Sequence, residues 1–232
     1  MVEASNLVDA VNLSQKRCPH PIMVDLKYAT TDNFIGKPLP GYDANVTNLC
    51  IMTPLAAAAL CEIQTYVNQQ QLSLLVFDAY RPLRTVQYFT EWFENPILTE
   101  TELIRKKLHY PHLQKTDLPR LGYIAIHVSR HCFGFAVDLT LVNLKNYKEL
   151  NMGTFFDYFD SQSSAQATSA EIGQEAFENR QFLAKIMQQF GFLPYEEEFW
   201  HYDYKIREAS KPFDKVIDNN LKEKLYQCSI IY

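Results

Sequence analysis

Two short stretches of this 232-residue chain hold side chains whose types and spacing suit metal-assisted hydrolysis. In Ser129-Arg130-His131-Cys132-Phe133-Gly134-Phe135-Ala136-Val137-Asp138, a histidine and a carboxylate stand seven residues apart. On an uninterrupted strand they would point to opposite faces. Gly134 between them permits a turn or bulge that brings both to one side. In Glu198-Phe199-Trp200-His201 a carboxylate precedes a histidine by three residues, and both reach one cleft only where the chain bends or a strand starts. Two histidines and one carboxylate suit a zinc ion that keeps its fourth position open for water. Glu198 would then stand beside that water as general base. By spacing alone the bland reading leads. A histidine among aromatic residues is more often packed and hydrogen-bonded in a core, and an arginine before proline, such as Arg81, is more often surface or salt-bridged.

The elements around these stretches follow from turn signals and apolar periodicity. Residues 1–50 carry Pro19, Pro21, Gly36, Pro38, Pro40 and Gly41, and read as extended chain and loops rather than helix. Thr53-Pro54 opens a helix expected to run to about residue 70, with Thr53 as N-cap and Pro54 in its first turn. Leu72 to Phe77 is an apolar run of strand length. Pro82 holds Arg81 extended, so the next helix starts after it. Residues 95–121, with a helix candidate at 99–108, read as a surface excursion of the kind that often covers a site. His109 and His112, either side of Pro111, are expected to be solvated. Phe135 to Val142 reads as a strand, Thr168 with Glu171 as a capping box, and Phe199 to Ile206 as an aromatic-rich strand. Phe177, Leu183, Ile186, Met187 and Phe190 give one helix face, closed by Gly191. Helices and strands without regular βαβ alternation predict an α+β fold with a mainly antiparallel sheet.

Taken together, DAYRP at 78–82, SRHCFGFAVD at 129–138 and EFWHY at 198–202 resemble the D-Ala-D-Ala dipeptidases, the VanX-like branch of the M15 metallopeptidases. The pattern there is S-x-H-x-x-G-x-A-x-D followed by E-x-W-H. Asp25 to Asn45 and Met152 to Asp160 are similar to that family's N-terminal and substrate-binding segments, so the likeness runs from about residue 18 to 206. The resemblance implies the Hedgehog/DD-peptidase fold, a small antiparallel sheet bearing the zinc site with helices packed around it. It implies one zinc per chain on His131, Asp138 and His201, with Glu198 as base and Arg81 stabilising the oxyanion. It implies a small dipeptide as substrate, recognised by Asp157, Tyr28 and Ser129, with Asp157 facing the ammonium. Arg130, Cys132 and Phe133 depart from the small polar residues expected around the first ligand. Cys132 is either a soft competing ligand or, the preferred reading, a thiol turned away from the metal.

Composition narrows the alternatives. The formal charge of −5 gives no basic footprint, so nucleic acid is not an expected partner. No apolar run approaches the roughly 20 residues that span a bilayer. The start, MVEASNLVDA, has neither a positive n-region nor a long apolar h-region, so a cytoplasmic location is expected, periplasmic being the alternative if a leader has been removed. Five cysteines without a CxxC pair predict free, buried thiols rather than a disulfide framework. Length favours a single domain over 1–232, with a C-terminal tail at 207–232. Oligomeric state is not legible. Two competitors remain: a carboxypeptidase acting on longer cell-wall peptides, and a zinc-bearing binding module without catalysis. Glu198 and Arg81 disfavour the second, since a purely structural zinc needs neither.

Overall fold

Short apolar runs form the middle of a sheet, and the prolines between them set where helices begin. The computed structural model describes residues 7–207, 209 and 211–228. In chain order the elements are β1 (Val8–Asp9), α1 (Ala10–Arg17), β2 (Met23–Val24), β3 (Ile51–Met52), α2 (Pro54–Asn68), β4 (Leu72–Asp78), α3 (Leu83–Glu94) and α4 (Glu100–His109). There follow α5 (Asp117–Arg120), β5 (Ala136–Asn143), β6 (Lys148–Glu149), α6 (Ser169–Ile172), α7 (Gln174–Gln189), β7 (Phe192–Tyr195), β8 (Glu198–Tyr204) and α8 (Asn219–Cys228). The main sheet has the order β2-β4-β5-β8-β7, with β6 pairing on β5. Only the β2–β4 pair is parallel, so the α+β, mainly antiparallel expectation holds.

Strand β5 is central, and every residue but Asn143 is buried. Its neighbours put the chemistry in register. Asp138 is paired with Asp78 of β4 on one side and with His201 of β8 on the other. A register shift between Val76 and Asp78 sets Asp78 into that row. Around the sheet, α2 packs on α1 and β4, while α7 packs on β7 and β8. One hydrophobic cluster runs from Leu7 to Leu225 through all of these elements.

Several boundaries fall as expected: α2 begins at Pro54 with Thr53 as N-cap, and α3 begins directly after Pro82. Thr99 and Glu102 close a capping box at the start of α4. The Thr168–Glu171 capping box also forms, but it opens only the short α6, because Gly173 at φ +85° breaks the helix before α7 resumes it. Two expectations fail. Residues 10–17 form α1, capped by the Asp9 carboxylate, which accepts from Val11 N at 3.0 Å. The dense Pro and Gly signals that argued against helix all lie beyond it. The C-terminal stretch is also no loose tail. Phe213 N donates to the Cys132 carbonyl at 2.8 Å, and Leu221 and Leu225 of α8 enter the core.

Candidate active site

The turn that carries His131 is built by its ends. Ser129 Oγ accepts from His131 N at 3.3 Å, which starts a 3₁₀ turn over Arg130–Phe133. Gly134 at φ +73° ends it in the left-handed region, where a side chain is strained. The chain then reverses into β5, and His131 comes to face Asp138 as the glycine predicted. Glu198 opens β8, opposite a register shift at Pro194–Tyr195, so it and His201 reach the same cavity. Glu198 Oε2 lies 4.0 Å from His201 Nδ1.

His131, Asp138 and His201 each offer one ligand atom, and the three atoms lie within 4.8 Å of one another. His131 Nδ1 is 2.6 Å from the Ala79 carbonyl, which can only accept, so Nδ1 carries a hydrogen and Nε2 is the nitrogen turned to the site. Its Nε2 stands 3.3 Å from Asp138 Oδ2 and 3.2 Å from His201 Nδ1. His201 Nδ1 is 3.0 Å from Asp138 Oδ1, while its Nε2 is 3.3 Å from Asp203 Oδ1. Two imidazole nitrogens and a carboxylate converging on one point favour a positive charge there, whether a ring proton or a metal ion. The same demand shows in the titration of the site. Burial disfavours a charged His201, yet its contacts with Asp138 and Asp203 push it up to about 10. Burial alone would raise the Asp138 carboxyl, but the His131 and His201 imidazoles hold it well below the usual carboxylate range. Nitrogen and oxygen donors, with outer hydrogen bonds already fixed, fit zinc.

Glu198 is buried, and its burial pushes the carboxyl up to about 8 despite the nearby His201. Arg81 is held in place from behind. Its Nε donates to Asp78 Oδ2 at 2.8 Å, and Tyr42 Oη donates to Asp78 Oδ1 at 2.7 Å. The guanidinium lies 4.9 Å from the Tyr28 ring centroid, with one Nη 3.4 Å from Asp138 Oδ2. Asp157 is 3% exposed and takes φ +61°. Its Oδ2 accepts from Tyr28 Oη at 3.1 Å, and burial, with Glu198 and Asp138 nearby, raises its carboxyl well above the usual range.

All eight residues singled out in the sequence (Tyr28, Arg81, Ser129, His131, Asp138, Asp157, Glu198 and His201) line one cavity of about 400 Å³. Residues 119–128, leading out of the excursion, supply Pro119, Tyr123, Ile124, Ile126 and Val128 to its wall. The departures around His131 resolve individually. Arg130 pairs with Asp203, Phe133 stacks on Phe135, and Cys132 is fully buried with its thiol pushed up by burial. Cys132 is outside the ligand-atom group. Asp78 and Asp203 were missed as supports, although Asp78 stands inside the DAYRP stretch. His109 was expected to be solvated and is not: it is 6% exposed at the end of α4, whereas His112 is exposed.

A family model described as D-Ala-D-Ala dipeptidase, peptidase M15, matches residues 12–219. The chain is 39% identical over 183 residues to a D-alanyl-D-alanine dipeptidase of Enterococcus faecalis, covering 79% of this chain and 86% of that one. It is 37% identical over 181 residues to a D-alanyl-D-alanine dipeptidase of Streptomyces coelicolor, covering 78% and 85%. Similarity to a D-alanyl-D-alanine dipeptidase of Escherichia coli is lower, at 27% over 180 residues, covering 78% and 77%.

Proposed function

The chain belongs to the D-Ala-D-Ala dipeptidase family of the M15 peptidases, and from that premise we propose that it hydrolyses D-alanyl-D-alanine to two D-alanines. The observation that carries this reading is the convergence of His131 Nε2, His201 Nδ1 and the Asp138 carboxylate on one point of a cavity that also holds Glu198, Arg81 and Asp157. The Hedgehog/DD-peptidase fold of the family agrees with the mainly antiparallel sheet.

One zinc per chain is part of the proposal, held by His131, Asp138 and His201. Bound there, zinc polarises the scissile carbonyl and lowers the pKa of a water. Glu198, ionised beside the cation, takes a proton from the attacking water, and its burial, which favours the protonated form, suits it to hold that proton. As the carbonyl oxygen gains negative charge, Arg81 holds it, with Asp78 keeping the guanidinium in place. Glu198 then passes the proton to the leaving nitrogen as the C–N bond breaks. Asp157 binds the substrate's ammonium, with Tyr28 orienting its carboxylate, and Ser129 lines the same cavity. A cytoplasmic location belongs to this reading, supported by four buried, unpaired cysteines: Cys18, Cys50, Cys61 and Cys132. Among the described residues no helix is long and apolar enough to cross a membrane.

The test combines turnover with metal analysis. Zinc-loaded protein is expected to release free D-alanine from D-Ala-D-Ala, to stop with chelator and to recover with zinc. His131→Ala and His201→Ala are expected to lose the metal. Absence of release from loaded protein, or full zinc in either variant, contradicts the proposal.

A further inference from the structure

Helix α4 is fixed to the rest of the molecule along its length. Arg105 Nε donates to the Asn33 carbonyl at 2.6 Å, and one Nη donates to the Thr31 carbonyl at 2.7 Å. At its N-terminal end Glu102 accepts from the Thr99 backbone at 2.8 Å and pairs with Lys115 at 3.3 Å. The last residue of this anchored helix is His109, and it touches the 157–159 turn twice. Its ring Nδ1 lies 2.9 Å from the Asp157 carbonyl, and its own carbonyl accepts from Phe159 N at 2.7 Å. A carbonyl only accepts, so Nδ1 carries the hydrogen and donates. Burial pushes His109 down to about 4, which keeps the ring neutral near pH 7. The ring also packs edge-on against Phe155, centroids 5.4 Å apart.

What this bracket holds is unusual backbone. Asp157 takes φ +61°, which asparagine and aspartate tolerate best among residues with a side chain but which still costs strain. A non-glycine residue remains there when its surroundings fix it. The bond from His109 does so, and it sets the direction in which the Asp157 carboxylate enters the cavity.

We propose that His109 is a positioning residue for substrate recognition: its Nδ1–H holds the Asp157 carbonyl and so aims the carboxylate that binds the dipeptide's ammonium. The inference rests on the reading of Asp157 as that ammonium's partner. His109 touches no substrate. It acts through Asp157, so its loss lowers affinity for the free dipeptide more than it slows chemistry.

Four zinc-loaded variants test this on D-Ala-D-Ala: His109→Phe, His109→Asn, Asp157→Asn, and the double variant that combines His109→Phe with Asp157→Asn. Phenylalanine keeps the ring against Phe155 without the donor, whereas the asparagine Nδ2 reaches the place of the imidazole Nδ1. His109→Phe is expected to raise KM by about 3- to 10-fold, the scale of one lost hydrogen bond, with kcat changed less than KM. His109→Asn is expected to recover most of that loss. In the Asp157→Asn background, His109→Phe is expected to add nothing further, because the two act as one unit. If His109→Phe does not fold, His109→Gln replaces it, since the longer side chain carries its donor past the carbonyl. Equal losses in the Asn and Phe variants, a fall confined to kcat, or additive effects in the double variant overturn the inference while leaving Asp157 in its role. An unchanged KM in Asp157→Asn alone removes the ammonium reading itself.

Discussion

A carboxylate buried beside two imidazoles and an arginine is a reservoir for one proton, and Glu198 is placed to be that reservoir. Its carboxyl is pushed up to about 8 by burial, and a cation held by His131, Asp138 and His201 would favour the ionised form that takes a proton from water. Glu198→Gln keeps the shape and removes the basicity. The variant should retain zinc and lose about 10²–10⁴-fold in kcat, measured by D-alanine release at saturating dipeptide. Near-normal turnover would take Glu198 out of the mechanism. His109 gives a second residue-scale prediction, this one on stability. Its folded-state value of about 4, set by burial, lies below the roughly 6.5 of an exposed histidine. The unfolded chain therefore binds a proton between those values while the folded chain does not. The contribution is full above about pH 6.5 and is lost as pH falls towards 4. Between pH 7 and 4.5, urea unfolding should show the wild type losing about 2–3 kcal/mol more than His109→Asn. Parallel losses would contradict the assignment. Residue type and spacing singled out His131, Asp138, Glu198 and His201, and the family resemblance added Tyr28, Arg81, Ser129 and Asp157. Neither reached Asp78 and Asp203, which are marked only by what they touch, and His109 was expected in solvent although it is buried against the 157–159 turn.

At the scale of elements, the site depends on one turn and one strand register. Gly134 must stay left-handed for His131 to fold back over β5, and a Cβ there would lie 2.7 Å from Leu7 Cδ2 as well as strain the backbone. Gly134→Ala should cost about 1–2 kcal/mol, lower Tm by roughly 2–8 °C and weaken zinc binding together. An unchanged Tm with full zinc occupancy would show that the turn is not what joins the two ligands. The glycine was readable in the sequence because a seven-residue spacing reaches one shared face only through a turn or bulge, which Gly134 permits. The register that sets Asp78, Asp138 and His201 in a row was not, since it is fixed by long-range pairing. Arg180 of α7 is a signal that went unread. It shares a helix face with Ala176, Leu183 and Met187, where an arginine is out of place unless it is satisfied. In the structure it donates to the carbonyls of Met152, Gln162 and Ser164, pinning the segment that carries Asp157. Helix α1 escaped notice for a related reason: the loop-like composition of residues 18–41 masked a local Asp9 cap and a basic last turn.

Across the whole molecule, segments far apart in sequence meet to close a space suited to a small, doubly charged substrate. The first 50 residues bring Tyr28, the end of the excursion and the stretch after it bring a wall from Pro119 to Val128, and the 130–133 turn, β5 and β8 bring His131, Asp138 and His201. The α+β class and the sheet's character followed from element order alone, and the family resemblance carried the fold further. The packing of Phe213 against the back of the His131 turn and the helix α8 did not, because the stretch from 207 was read only as a tail. With Asp157 proposed as the ammonium's partner, the cavity should accept a free dipeptide and reject one whose amine is blocked. The most direct measurement is kcat/KM for D-Ala-D-Ala against N-acetyl-D-Ala-D-Ala on the zinc-loaded protein. A preference of at least about 100-fold for the free dipeptide is expected, the scale of losing a buried charge pair and adding bulk where the cavity closes. Equal rates on the two, or faster cleavage of the blocked peptide, would contradict it and mark a carboxypeptidase of longer chains.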